Sequence, residues 1–183
     1  GIEILEGYGL TETSPVVSVR KPNSRSLHNV GHLIKGVEAR IIDIEYGEKI
    51  SDKTEGIICV KGPNVMRGYH KNPEETAKVL NVEGWFNTGD RGYFTKKGKL
   101  VITGREKDII VLSNGENINP NPIEGALLKS RYIETPIVTG QDWRLLGAYI
   151  VPRFERLKDY CDSQGIPFYE KDLEGTLRDG RIQ

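Results

Sequence analysis

Cysteine, histidine and methionine are scarce in this chain, and their scarcity removes several chemistries at the outset. The two cysteines stand apart, Cys59 within Gly56-Ile57-Ile58-Cys59-Val60 and Cys161 in a polar helical stretch, with no partner spacing for a metal or a redox pair. Both read as reduced, structural thiols of a reducing compartment. His28, His32 and His70 are scattered among loop residues and read as solvated or backbone-bonded imidazoles, not zinc ligands. No apolar run approaches the roughly 18 residues of a membrane span, and the first residues carry no basic-then-apolar leader pattern. An excess of one charge is also missing. Lys plus Arg (26) equals Asp plus Glu (26), so no whole-molecule field draws the chain onto nucleic acid or an acidic membrane, and any polyanion it binds needs a local site. There is no internal repeat and no low-complexity tract.

What is present is ordinary globular material, 37% hydrophobic and 28% charged, in 183 residues that suit one full domain or two small ones. The organising stretch is Thr103-Gly104-Arg105-Glu106-Lys107-Asp108-Ile109-Ile110-Val111-Leu112-Ser113-Asn114-Gly115-Glu116-Asn117. A Gly-Arg pair, alternating charges, a run of β-formers and an Asn-Gly turn predict a strand that ends, pivots and restarts as a hairpin. The residues before the pivot read as one unit and those after it as another.

In chain order, Gly1 to Glu6 reads as a short strand that runs into Gly7-Tyr8-Gly9-Leu10-Thr11-Glu12-Thr13. Glycines bracketing an aromatic ring let backbone pass close to a flat ligand that Tyr8 could stack on, with the Thr11 hydroxyl and Glu12 carboxylate beside it for phosphate and a hard cation. Taken alone, the same residues more often describe a turn around a packed tyrosine. From Val30 to Leu100 short strands and turns, among them Gly36 to Ile44 and Glu55 to Gly62, suggest a small β-barrel or sandwich. A helix over Pro73 to Leu80 interrupts them, with Asn72 as N-cap, Pro73 at the first helical position and Glu75 at capping-box spacing. Gly84-Trp85-Phe86-Asn87-Thr88-Gly89-Asp90 then offers an aspartate in a Thr-Gly-Asp turn, which fits a vicinal diol but, taken alone, more often an Asx turn on its own backbone. Lys96 to Lys99 reads as a hairpin. Past the pivot, Asn121 is expected to cap a helix from Pro122 to Lys129. Strands follow over Ile133 to Thr139 and Leu145 to Val151, and the rest, from Arg153, is helical with a break at Gly165-Ile166-Pro167.

Taken together, these stretches resemble a known family. Glu6-Gly7-Tyr8-Gly9-Leu10-Thr11-Glu12-Thr13-Ser14-Pro15, Glu55-Gly56-Ile57 with Gly62-Pro63-Asn64-Val65-Met66-Arg67-Gly68-Tyr69, Gly84 to Asp90, and Gly104 to Asp108 look like successive core motifs of the adenylate-forming (AMP-binding) superfamily. Gly115 to Glu124, and Gly140-Gln141-Asp142 with Leu146-Gly147-Ala148, resemble the long-chain fatty acyl-CoA and acyl-acyl carrier protein synthetases more narrowly. The resemblance spans about residues 1 to 152.

It implies an α+β chain: over 1–106 the end of a large sheet domain, with a small β-barrel subdomain from about residue 30, then a hinge and, over 107–183, a truncated small α+β domain. It implies that Tyr8, with Gly7 and Gly9, stacks on adenine, Thr11 contacts the α-phosphate, Glu12 helps hold Mg²⁺, Asp90 takes the ribose hydroxyls and Arg105 reaches ribose or phosphate. Lys107 falls at the family's hinge and Gly115 on the loop that lines the pantetheine path. The implied reaction is ATP-dependent activation of a long-chain fatty acid to acyl-AMP and transfer to a thiol, with ATP, Mg²⁺ and coenzyme A. The alternative acceptor is carrier-protein phosphopantetheine. No nucleic acid and no membrane span enter this expectation, though peripheral membrane contact does. The expected location is the cytoplasm, with the plastid stroma or a membrane periphery as alternatives.

The family's upstream phosphate loop and its late adenylation lysine have no counterpart here, and neither Lys158 nor Lys171 matches the latter's context. A fragment inactive by itself is therefore expected, and a catalytically silent nucleotide-binding or structural piece is the alternative from another class.

Overall fold

Short β-forming runs cannot bury themselves singly, and in the computed structural model of the chain they pair antiparallel into small sheets. The structure describes residues 4–22, 24, 28–44, 47–51 and 53–169. The chain divides into two units, Gly1–Asp108 and Ile109–Gln183.

In the first unit, β1 (Gly7–Tyr8), β2 (Ser18–Val19) and β3 (His32–Leu33) form a three-stranded sheet. β4 (Glu38–Ile42), β5 (Gly56–Lys61), β6 (Phe86–Phe94) and β7 (Leu100–Arg105) form a four-stranded meander in sequence order. β5 lies inside the meander and is buried along nearly its whole length, which explains its continuous apolar run in place of alternation. Both sheets contribute to one core, built on Val17, Val37, Ile41, Ile58, Val60, Phe94 and Leu100, with Tyr8 and Leu33 packed against it. Hydrogen bonds from Val30 N–H to the Leu100 carbonyl and from Leu100 N–H to the Gly31 carbonyl join the approach to β3 to the start of β7. β4 and β7 do not pair, and no closed barrel is detected among the described residues.

The expected strand over Gly1 to Glu6 is corrected. Residues 1–3 lie outside the described residues, Ile4 and Leu5 are exposed (79% and 45%), and regular pairing begins only at Gly7. The partner strand β2 is two residues long, so it offers the preceding segment little ladder beyond the Arg20 N–H bond to the Glu6 carbonyl. α1 (Pro73–Val79) starts where the sequence predicts, with Asn72 Oδ1 accepting the Glu75 N–H at 3.2 Å. The Glu75 carboxylate turns to Lys78 instead of closing a capping box.

In the second unit, β8 (Ile110–Val111) and β9 (Asn117–Ile118) form the expected hairpin across Asn114-Gly115, with Gly115 at φ +83°. α2 (Pro120–Leu127) begins two residues before the expected start, capped by Asn119, whose Oδ1 accepts the Asn121 N–H at 3.1 Å. Two consecutive Asn-Pro pairs each fit a helix start, and the earlier prevails. Pro122 is then tolerated within the first turn, where amides lack intrahelical partners in any case. β10 (Ile133–Thr139) and β11 (Gly147–Pro152) pair antiparallel, and Ile110, Leu112 and Val138 pack with Ile118, Ile123 and Leu127 of the hairpin and α2. α3 (Phe154–Gln164) ends at Gly165 in the left-handed conformation, and Leu157 and Cys161 bury against Ile166. The architecture is α+β. Among the described residues no helix is long and apolar enough to cross a membrane. Lys171 lies outside the described residues.

Candidate functional site

The segment after β1 folds around a buried hydroxyl. Thr13 is fully buried; its Oγ1 accepts the Leu10 N–H at 2.9 Å and lies 2.9 Å from both the Leu10 and Pro15 carbonyl oxygens, with one proton to share between them. Residues Thr11–Thr13 wind into a 3₁₀ turn that Ser14 ends at φ 54°. This tight return requires Gly9, because a Cβ there would stand 1.6 Å from the Pro15 carbonyl oxygen. Asn64 clasps the far side, its Nδ2 donating to the Thr13 carbonyl at 3.0 Å and the Val16 carbonyl at 2.8 Å. The outcome is a rigid turn with the Thr11 hydroxyl exposed and the Glu12 carboxylate half-buried.

Thr-Gly-Asp is not a loop turn but a bulge inside β6. Ile57 pairs with Arg91 and Cys59 with Asn87, so four residue steps on β6 oppose two on β5. Gly89 takes φ +69°, and side chains satisfy the backbone that the bulge leaves out of the ladder. Thr88 Oγ1 donates to the Ile58 carbonyl at 2.8 Å, the Asp90 N–H donates to Thr88 Oγ1 at 3.1 Å, and the Gly89 N–H donates to Asn87 Oδ1 at 2.9 Å.

The bulge buries Asp90 to 5% exposure and gives each of its oxygens a partner. The Tyr8 hydroxyl donates to Oδ2 at 2.6 Å, and Arg105 Nε, directly across the ladder on β7, lies 3.3 Å from Oδ1. A buried carboxylate is tolerable only when paired and hydrogen-bonded, and these two donors meet that need. Burial first, and then the bond to Asp90, push the Tyr8 phenol well above its ordinary range, so it remains a donor. Arg105 itself is 69% exposed and free to turn toward a second anion.

Thr11, Glu12, Asp90, Arg105 and Lys107 line one cavity of about 630 Å³, together with Gly9, Thr88 and Gly89. All of them belong to the first unit. Tyr8 is not among the lining residues; its ring packs on the core and its hydroxyl reaches Asp90. Gly7 is exposed on β1, and Gly115 belongs to the second unit. Two side chains that lie within the quoted motifs but receive no role from the sequence complete the site. Tyr69 donates to Glu12 Oε1 at 3.1 Å, and Thr88 carries the bulge.

Chemically, the cavity offers a buried acceptor for a diol, a hydroxyl, two cations suited to phosphate and a half-buried carboxylate suited to a hard metal ion. No cluster of three or more metal-ligating side chains exists among the described residues. A metal there would take one protein carboxylate and draw its other ligands from water and substrate, which is how Mg²⁺ is commonly held.

Residues 1–70 match the family described as AMP-binding enzyme, and residues 107–167 match the AMP-binding enzyme C-terminal domain. A chloroplastic long-chain-fatty-acid–[acyl-carrier-protein] ligase of Arabidopsis thaliana is 48% identical over 165 residues, covering 85% of this chain and 23% of the relative. The peroxisomal long chain acyl-CoA synthetase 7 of Arabidopsis thaliana is 34% identical over 187 residues, covering all of this chain and 26% of the relative. Among solved structures, the O-succinylbenzoate coenzyme A synthetase of Bacillus subtilis in complex with ATP and magnesium ion superposes with a TM-score of 0.72 at 27% identity. That match covers 96% of this chain and 34% of the other. The chain thus spans about a quarter of the length of the curated relatives it matches.

Proposed function

Because this chain belongs to the adenylate-forming superfamily of AMP-binding enzymes, we propose that it is part of an acid–thiol ligase acting on long-chain fatty acids. The observation that carries this reading is the buried Asp90 carboxylate, gripped by Tyr8 and Arg105 at the wall of a cavity that Thr11 and Glu12 also line.

In the first half-reaction a fatty-acid carboxylate oxygen attacks the α-phosphorus of ATP, forming acyl-AMP as the bond to the pyrophosphate leaving group breaks. Asp90 accepts hydrogen bonds from the ribose hydroxyls, while Tyr8 fixes the carboxylate orientation, with adenine held near the Gly7-Tyr8-Gly9 turn. Thr11 donates to the α-phosphate oxygen, and Arg105 adds a charged donor for ribose or phosphate. Glu12 is the residue that would hold Mg²⁺, which neutralises phosphate charge when bound. In the second half-reaction a pantetheine thiol attacks the acyl carbonyl carbon, AMP leaves, and the thiol proton is released. Lys107 is the proposed hinge between the two steps, and the Gly115 turn the proposed guide for the thiol arm. The chain's contribution is chiefly positioning and charge neutralisation.

The thiol belongs to coenzyme A or to an acyl carrier protein. The carrier-protein reading is favoured by 48% identity to a relative named as such a ligase, against 34% for the named acyl-CoA synthetase. The test uses the complete polypeptide that carries this sequence. Labelled pyrophosphate should exchange into ATP only when a long-chain fatty acid is present, and Asp90→Ala should lower that exchange at least about tenfold, since the diol loses its acceptor. Exchange indifferent to fatty acid, or to Asp90, would overturn the reading.

A further inference from the structure

Tyr69 has no part in the roles just proposed, yet its hydroxyl donates to Glu12 Oε1 at 3.1 Å across 57 residues of sequence. The bond belongs to a larger strap. Asn64 Nδ2 grips the Thr13 and Val16 carbonyls, and the Met66 N–H donates to the Glu12 carbonyl at 2.8 Å. Tyr69 is itself anchored, its N–H donating to Thr76 Oγ1 at 2.9 Å, while that hydroxyl donates to the Asn72 carbonyl at 2.8 Å at the start of α1. One segment, Asn64 to Tyr69, therefore holds both the backbone and the carboxylate of Glu12.

We infer that Tyr69 is a positioning residue for Glu12, occupying Oε1 and leaving Oε2 as the oriented acceptor for a divalent cation that rides on a polyphosphate. The inference rests on the proposed reading of Glu12 as the cation-holding carboxylate. No hydrogen bond among the described residues engages Oε2. Where the protein supplies a single carboxylate and the remaining ligands come from water and phosphate, the orientation of that one group governs binding. A carboxylate already held by a tyrosine loses less rotamer freedom on coordination than a free one. Tyr69 is 37% exposed, which limits the effect to about three- to tenfold, less than a deeply buried bond to a charged group would give.

A brace for the 3₁₀ turn would give the same geometry, and metal dependence separates the two. In the complete polypeptide, binding of Mn²⁺ with ATP is followed by electron paramagnetic resonance, and ATP binding without metal is measured in chelator. Tyr69→Phe should weaken the metal–nucleotide complex about three- to tenfold and change metal-free ATP binding less than about twofold. Glu12→Gln should weaken the same complex, and Tyr69→Phe should add nothing in that background. Equal weakening with and without metal, no weakening by Tyr69→Phe, or full additivity of the two changes would overturn the inference while leaving the reading of Glu12 in place. Unchanged metal binding in Glu12→Gln would overturn that reading, and the inference with it.

Discussion

Tyr8 donates its phenolic proton to a carboxylate that is 5% exposed, and the direction of its pKa shift fixes how stability should depend on pH. Burial and the Asp90 bond raise the folded-state value above the unfolded one of about 10. Below about pH 10 both states keep the proton and the contribution is fully present; above it the unfolded chain ionises first, so stability is lost as pH rises toward the folded value. The Tyr8 share of this loss has a limiting slope of roughly 1.4 kcal/mol per pH unit. Tyr8→Phe should flatten the fall of stability between about pH 10 and 11, while costing about 1–3 kcal/mol at neutral pH by leaving Asp90 Oδ2 unpaired. Denaturant unfolding of the two proteins across this range decides the matter, and parallel pH profiles would show that Tyr8 ionises as freely in the fold as out of it. Cys59 is a free, buried thiol whose pKa is pushed up by burial against the opposing pull of Arg40, which accords with an inert structural thiol.

At the scale of elements, two glycines at the cavity wall do different physical work. Gly9 is a contact requirement, since any Cβ there meets the Pro15 carbonyl oxygen at 1.6 Å. Gly89 is a conformational one, at φ +69° with open space where a Cβ would stand. Gly89→Ala should therefore cost about 1 kcal/mol, the penalty for a left-handed alanine, whereas Gly9→Ala should cost more than about 2 kcal/mol because backbone has to move. Chemical denaturation of the two variants measures both, and equal costs would mean that the turn around Thr13 yields to a methyl group. The same contrast explains what sequence reveals. α1 is legible because Asn72, Pro73 and the residues after them form one local signal, and β10 coincides with its expected span, Ile133 to Thr139. The start of α2 is not legible, because two adjacent Asn-Pro pairs are locally equivalent. Nor is the Thr-Gly-Asp bulge, since a bulge is defined by the partner strand, here β5. The Tyr69–Glu12 bond spans 57 residues and leaves no pattern in either segment. That Thr11, Glu12, Asp90, Arg105 and Lys107 line one cavity follows from folding, not from spacing.

At the scale of the whole molecule, the chain divides between Asp108 and Ile109, directly at the end of the charged 3₁₀ turn Glu106–Asp108. Lys107 is the proposed hinge, and the argument for testing it is about backbone torsion. If the two half-reactions use different arrangements of the units, φ and ψ near Lys107 must change between them. Proline fixes φ near about −65° and also steers the residue before it, Glu106, away from helical torsions, so Lys107→Pro should trap a single arrangement. Thr11, Glu12, Asp90 and Arg105 all belong to the first unit and are kept in the variant, while Lys107 lines the same cavity, so loss of its charge should weaken adenylation to some extent as well. Gly115 belongs to the second unit, so a step that requires its turn should suffer more. Starting from preformed acyl-AMP, thiol transfer by the complete Lys107→Pro enzyme should fall at least about tenfold further than adenylation does, a difference of roughly 1.4 kcal/mol in barrier. Asp90→Ala should instead weaken nucleotide binding whichever arrangement is occupied, because the proposed ribose site loses its acceptor in both. Single-turnover measurement of each half-reaction in both variants separates the cases. Equal losses of the two steps in Lys107→Pro would remove Lys107 from the hinge role and leave it as one more cation at the cavity wall.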